Sequence, residues 1–486
     1  MLFDSEKLGA RKGEDVIRRL KQHPPNLWYR GKQVTNPCST HPFKNSITTL
    51  SSLYDYQWKH PNIMLMNEGG RKVSKAFSVP KEKSDLKGLG KALIKSAQFS
   101  QGMLGREPAY LNRSVSCFSA CSNFFDVGGS NFSSNVENLY KYIRDNDLSM
   151  THTLINPRQN RRNDPNFQLD PTVAAHITKE TDSGIYINGA RLLATLPFAD
   201  ELAVFPSRLM SMSEASKNYA FAFIIPTSSS GLKFICRESV DYGLDKNNYP
   251  LSSRYEEMDA VVVFDNVFVP WERVLCHRDI DICRNFYDTT GATAHIAYQV
   301  VCKNIVKTEF YLGLVSLMIR GSDLDGFQHV HQKMAELWAG LQTMKAFKTA
   351  SEAGARTNVF GMLVPDWDPL DAARFIFPRL YPRMVEIVQE LGASGLVALP
   401  TKEDLQGPLR EDIKKYFQSA RLEAQDKIDL YRLAWDASLS AFAARQIQYE
   451  RFFFGDPVQM SSRIFRNKSC SEAMHRVENF LRRDVQ

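Results

Sequence analysis

The sequence predicts an α+β fold with a helical N-terminal part, a middle β-domain and a C-terminal helical bundle. Three observations carry this expectation. Apolar residues recur at helical spacing before residue 148, alternating β-branched runs fill 149–277, and long helical periodicity returns over 278–486. A length of 486 residues corresponds to about three ordinary domains, and the zones 1–148, 149–277 and 278–486 are read as those parts.

Ser134 to Leu148 is expected to be a helix, because Val136, Leu139, Tyr140 and Ile143 fall on one face. In the middle zone, His176 to Leu196 alternates around a turn at Asp182-Ser183-Gly184. Phe221 to Glu238 reads as two strands around a Ser/Gly turn. Asp259 to Leu275 reads as two more, interrupted at Asp265-Asn266. Together these segments predict a small antiparallel β-domain. The last zone reads as long helices, among them an unbroken one over Glu423 to Phe454, with breaks at Pro365–Pro369 and Pro400–Pro408.

Composition narrows the function. A hydrophobic fraction of 43% and a charged fraction of 24% are those of a soluble globular chain, and exclude a disordered chain, a collagen or a disulfide miniprotein. The 61 Lys and Arg against 54 Asp and Glu leave +7, which is mild over this length and points to an anionic small ligand before nucleic acid. The charged start, MLFDSEKLGARKGEDVIRRLKQ, lacks the apolar core of a signal peptide. Ala220 to Pro226 and Ala260 to Pro270 are too short to span a bilayer. Eight scattered cysteines suit reduced thiols in a cytoplasmic enzyme. Gly88 and Gly90 are followed by Leu93 where a dinucleotide fingerprint needs its third glycine, and no P-loop pattern occurs.

Six segments, in order, carry a resemblance. They are Pro25-Asn26-Leu27-Trp28-Tyr29, Gly105 to Asn112 (GREPAYLN), Thr151 to Pro157 (THTLINP), Leu251 to Arg254 (LSSR), Val269 to Val274 (VPWERV) and Tyr449 to Pro457 (YERFFFGDP). The chain resembles the oxygenase component of two-component 4-hydroxyphenylacetate 3-monooxygenases, over nearly its whole length. That resemblance implies an acyl-CoA-dehydrogenase-like fold whose middle domain is an antiparallel β-barrel. It also implies a homotetramer that binds diffusible reduced FAD from a separate NAD(P)H:flavin reductase and uses O2 as co-substrate. The implied reaction is ortho-hydroxylation of a 4-substituted phenol to a catechol through a C4a-hydroperoxyflavin. 4-Hydroxyphenylacetate is the default substrate; chlorophenols, tyrosine derivatives and hydroxycinnamates remain alternatives.

Arg106 and Tyr110 are four apart and would share a face if helical. Spacing alone favours a surface arginine beside a packed tyrosine. The resemblance instead makes Arg106, Tyr110 and His152 the catalytic, phenol-contacting residues. An ordinary imidazole pKa near 6.5 suits His152 to proton exchange. The resemblance also implies flavin contacts at His152, Thr153, Leu154 and Ile155, then at Arg158, Gln159, Asn160 and Arg161. Further flavin contacts fall at Thr195 and at Asp456, Pro457, Val458 and Gln459. Without it, 158–161 is equally a solvated basic loop, and 455–457 a helix-ending Gly-Asp-Pro turn. Ser207 and Arg208 fall in the loop over the substrate tail, where Arg208 could pair with a carboxylate.

Three other readings compete with this one. The 4-hydroxybutyryl-CoA dehydratases hold an iron–sulfur cluster with C-x3-C and H-x6-C ligands, and this chain has Cys117-x3-Cys121 and His295-x6-Cys302. Register places Leu111 and Val115 at the first pair, so Cys117 and Cys121 are read as packing residues. An acyl-CoA dehydrogenase would need a catalytic carboxylate, and a non-enzymatic scaffold would not need Arg106, Tyr110 and His152 together.

Overall fold

The computed structural model describes residues 8–129, 131–157, 170–206, 214–453, 455–468 and 470–483. In the N-terminal part, Phe43–Lys59, Lys83–Phe99, Pro108–Ala120 and Ser133–Asp145 are helices. The last buries the predicted face, Val136, Leu139, Tyr140 and Ile143. This part is not purely helical. Leu27–Tyr29 and Lys32–Gln33 leave it to extend a sheet of the middle zone.

The middle zone holds two sheets. One is six-stranded, in the order Lys32–Gln33, Leu27–Tyr29, Leu232–Cys236, Asp259–Pro270, Gly184–Thr195, His176–Thr181. The other is four-stranded, in the order Val274–His277, Phe221–Pro226, Glu201–Val204, Met150–Thr153. Ile185, Ile187, Leu202, Val204, Phe223, Ile225, Val262 and Phe264 from both sheets share one apolar core, and a bridge between Ile155 and Leu192 ties the two at an edge.

Three expectations change here. The sheets are mixed, because Leu27–Tyr29 runs parallel to Leu232–Cys236 and Met150–Thr153 runs parallel to Glu201–Val204. The strands around the Ser/Gly turn after Phe221 do not pair with each other but enter different sheets. Asp265-Asn266 does not end a strand. Asp259–Pro270 is continuous, and a bulge between Phe264 and Val267 absorbs the polar pair, with Asn266 at φ 53°.

The C-terminal bundle is built on Ala292–Ser322, Gln328–Ala353 and Trp367–Gly392. Leu314, Met318, Leu337, Leu341, Phe377, Tyr381 and Val385 meet in its core. Ala292–Ser322 is buried on nearly every side over its first half, where apolar residues alternate with buried polar ones such as His295, Gln299, Lys303 and Lys307. The helix expected over Glu423 to Phe454 is two, Ala424–Ser438 and Ala441–Phe452. Ser440 restarts the chain by accepting a hydrogen bond from Ala443 N at 3.2 Å. Helix-favouring residues on both sides mask this cap in the sequence.

Ser440→Ala should therefore lower unfolding stability by about 1 kcal/mol, read as a shift in denaturant midpoint at unchanged slope. An unshifted midpoint would show that the cap does not define the restart.

Candidate active site

Pro108 opens the helix Pro108–Ala120 at a position where its missing N–H costs nothing. Arg106 lies before that helix, so it does not share a helical face with Tyr110 in the sense expected. Its guanidinium instead folds back over the Tyr110 ring, 4.4 Å from the centroid, and is also 4.2 Å from Phe453 and 5.5 Å from Tyr449. A cation enclosed by three aromatic faces is stabilised by their quadrupoles without using its N–H donors. Arg106 Nη1 is buried and has no hydrogen-bond partner among the described residues. The adjacent Glu107 does not pair with it, because its carboxylate accepts from Ser96 Oγ and Gln299 Nε2, each at 2.9 Å.

Two contacts fix the Arg106 backbone. Its N–H donates to Glu257 Oε1 at 2.6 Å. One residue earlier, the Gly105 carbonyl accepts from the Tyr449 hydroxyl at 2.9 Å. A Cβ at position 105 would lie 2.3 Å from Tyr449 Cζ, so only glycine admits this approach.

His152 sits in the strand Met150–Thr153, all four residues of which are buried. Its ring is 5.6 Å from Tyr110 and 6.4 Å from Phe205. Burial, reinforced by the nearby Arg106 charge, pushes the His152 pKa well below 6.5. This corrects the expectation of an ordinary imidazole: burial and the Arg106 charge disfavour the protonated ring, so the resting ring is neutral. Arg106 itself is held above its ordinary value. Burial works against its charge, but Tyr449, Tyr110, Glu257 and Asp259 outweigh that. Arg106, Tyr110 and His152 are thus brought together.

Thr195, at the end of Gly184–Thr195, donates its hydroxyl to Asp259 Oδ1 at 2.7 Å, which leaves lone pairs to accept from a ligand N–H. Thr153 commits its hydroxyl to the Leu192 carbonyl at 2.7 Å. The Leu154 carbonyl accepts from Arg191 Nη1 at 3.0 Å. Ile155 and Leu193 both leave large apolar surface exposed. Asp456 starts a helix where the sequence suggested only an end. Its carboxylate accepts from Val458 N and Gln459 N at 2.9 Å, with Pro457 in the first turn of Pro457–Asn467. Arg158, Gln159, Asn160, Arg161, Ser207 and Arg208 lie outside the described residues.

Sequence reasoning missed the charged cluster behind Arg106. Arg445 Nε and Nη2 reach Asp259 at 2.9 Å each, and its Nη1 reaches Glu257 at 3.0 Å. Arg237 adds contacts to Asp259 at 2.8 Å and to Glu256 at 2.7 Å. Burial would raise the Asp259 pKa, but Arg445 and Arg237 hold it well below the usual carboxylate range. One signal was available: Arg445, Tyr449 and Phe453 recur every four residues, which is one face of a helix. Nothing local marks Glu257.

The cysteine pattern resolves as packing. Burial pushes the Cys117 and Cys302 thiols up to about 12 and Cys121 up to about 11. His295 faces Arg113 Nη2 with Nδ1 at 3.3 Å and the Leu363 carbonyl with Nε2 at 3.0 Å, so both ring nitrogens are engaged. Among the described residues, no three His, Cys, Asp or Glu side chains stand where they could hold a metal ion.

The helical, two-sheet and helical order is that of the acyl-CoA-dehydrogenase-like fold. An archaeal 4-hydroxybutyryl-CoA dehydratase from N. maritimus has the same fold at TM-score 0.87, over 97% of this chain and 95% of its own, at 18% identity. The chain belongs to the 4-hydroxyphenylacetate 3-hydroxylase family. The family's N-terminal model matches residues 12–276 and its C-terminal model residues 283–482. The 4-hydroxyphenylacetate 3-monooxygenase oxygenase component of Thermus thermophilus is 44% identical over 98% of each chain. A crystal structure of such an oxygenase component complexed with FAD and 4-hydroxyphenylacetate matches at TM-score 0.94 and 44% identity, over 98% of this chain and 99% of that one.

Two outcomes follow from this geometry. Gly105→Ala should displace Tyr449 and lower the melting temperature, and a variant that melts like the parent would contradict the packing. Because the folded state disfavours the charged imidazole, His152 contributes stability above pH of about 6.5 that is lost as pH falls below it. His152→Gln should therefore show a shallower loss of stability between pH 7 and 5 than the parent; an equal slope would contradict a depressed His152 pKa.

Proposed function

We propose that this chain is the oxygenase component of a two-component phenol hydroxylase, which inserts one atom of O2 ortho to the hydroxyl of 4-hydroxyphenylacetate. The observation that carries this reading is the buried Arg106 guanidinium, charged and with Nη1 unpartnered, beside Tyr110 and neutral His152. Family membership and the FAD-bound relative support the cofactor. The residues present fit a flavin: Thr195 offers acceptor lone pairs, and Ile155 and Leu193 offer apolar surface. Bound reduced FAD supplies the electrons that activate O2.

The chain's own residues prepare the phenol. Arg106 and Tyr110 hold the phenolic oxygen, and the Arg106 charge favours its anionic form. Neutral His152 accepts a hydrogen bond from the phenolic O–H and assists its proton movement, which makes the ortho carbon more nucleophilic. Phe453, Phe205 and the Tyr449 ring line the surroundings and exclude water. Arg208 would pair with the carboxylate tail, with Ser207 beside it. The 158–161 segment and Asp456 to Gln459 would contact FAD.

The reduced flavin would come from a separate NAD(P)H:flavin reductase. The assembly would be a homotetramer in the cytoplasm. The terminal helix Ser471–Arg483 supports assembly, because Met474, Val477 and Leu481 lie on one face and are each exposed. The described cysteines are all free thiols, which suits a reducing compartment. Among the described residues, no helix is long and apolar enough to cross a membrane.

Arg106→Ala, supplied with reduced FAD and corrected for peroxide, should lose catechol formation on the order of 10²-fold or more while keeping its circular dichroism. Normal turnover would overturn the assignment. Light scattering should give four subunits, and removal of 471–483 should yield smaller species; a monomeric parent would contradict the assembly.

A further inference from the structure

Arg106 presents a physical puzzle. A buried guanidinium normally closes onto the nearest carboxylate. Glu257 and Asp259 are near enough to raise its pKa, yet both are engaged by Arg445. Glu257 is completely buried. One of its oxygens, Oε2, lies 3.0 Å from Arg445 Nη1, and the other, Oε1, takes the Arg106 backbone N–H at 2.6 Å. Its backbone carbonyl also accepts from Leu196 N at 3.1 Å, next to Thr195. Glu257 therefore grips the main chain of Arg106 rather than its guanidinium.

The charges explain why this arrangement persists. Among the described residues, Glu256, Glu257 and Asp259 pair with two guanidiniums, Arg237 and Arg445. Arg106 and Lys307 interact with Glu257 through space without pairing to it, so the Arg106 fork stays available.

We propose that Glu257 is a positioning residue for phenol hydroxylation: clamped by Arg445, it fixes the Arg106 backbone and aims an available guanidinium at the phenolic oxygen. This rests on the reading that Arg106 meets the phenol. Arg445 serves by keeping both carboxylates off Arg106. The same cluster reaches the Thr195 hydroxyl through Asp259, so phenol and flavin contacts are held by one rigid unit.

The test compares Glu257→Ala, Glu257→Gln and Arg106→Ala in the full-length protein, with 4-hydroxyphenylacetate as the phenol. Each is assayed for the Michaelis constant toward that phenol, for the catechol-to-peroxide ratio, for FAD affinity by fluorescence and for melting temperature. Glu257→Ala should raise the Michaelis constant at least tenfold and divert turnover to peroxide, with FAD affinity within about threefold of the parent. Glu257→Gln keeps an acceptor for the Arg106 N–H and should recover most of the coupling. A parental Michaelis constant and parental coupling in Glu257→Ala, with only a lower melting temperature, would overturn the positioning role. Equal uncoupling in the Ala and Gln variants would also overturn it. Parental turnover by Arg106→Ala would instead overturn the underlying site reading, so the two failures are distinguishable.

Discussion

The site depends on one buried electrostatic cluster, the Arg445 guanidinium against Glu257 and Asp259. Its members come from distant parts of the chain. Arg445 belongs to a C-terminal helix, Asp259 to the six-stranded sheet, and Glu257 to the short connection just before it. Through Glu257 the cluster holds the N-terminal loop at Arg106, and through Asp259 it holds Thr195. Deleting one partner of such a buried set exposes the others as uncompensated charge, typically at a cost of about 3–5 kcal/mol. The cluster is therefore a joint between the three parts of the fold as well as a support for chemistry.

Around this joint, aromatic rings and burial divide the tasks. Phe453, Tyr110 and Tyr449 surround the Arg106 cation without competing for its hydrogen-bond donors. Burial, with the Arg106 charge, leaves His152 neutral in its resting state. In the proposed reaction, a cation and a neutral hydrogen-bond acceptor side by side would together polarise the phenolic O–H. The separation matters as much as the proximity: had Glu257 or Asp259 reached Arg106, the cation would carry no available charge toward a ligand.

Much of this was legible in the sequence because it is local. The helical face of Val136, Leu139, Tyr140 and Ile143, the hairpin around Asp182-Ser183-Gly184, and Pro108 in a first turn each follow from short-range spacing. What failed to show depends on distance in space. Two successive strands entering different sheets, and parallel pairing of Met150–Thr153 with Glu201–Val204, are decided by tertiary packing. The bulge at Asp265-Asn266 and the Ser440 cap are local, but the polar pair reads as a turn and the cap sits between helix formers. Arg106, Tyr110 and His152 were found through family motifs and not through spacing. Glu257 was missed because no neighbour in sequence marks it. The cysteine pattern shows the converse: Cys117, Cys121 and Cys302 have an apparent ligand spacing with His295 but are buried thiols, and both His295 ring nitrogens are engaged.

Arg106 stays charged and available because Glu257 and Asp259 are taken by Arg445. A crystal structure with FAD and 4-hydroxyphenylacetate bound tests it most directly. The phenolic oxygen should lie within about 3.2 Å of an Arg106 guanidinium nitrogen, with Arg445 still paired to both carboxylates. An Arg106 side chain paired to Glu257 or Asp259, with the phenol lying elsewhere, would contradict it.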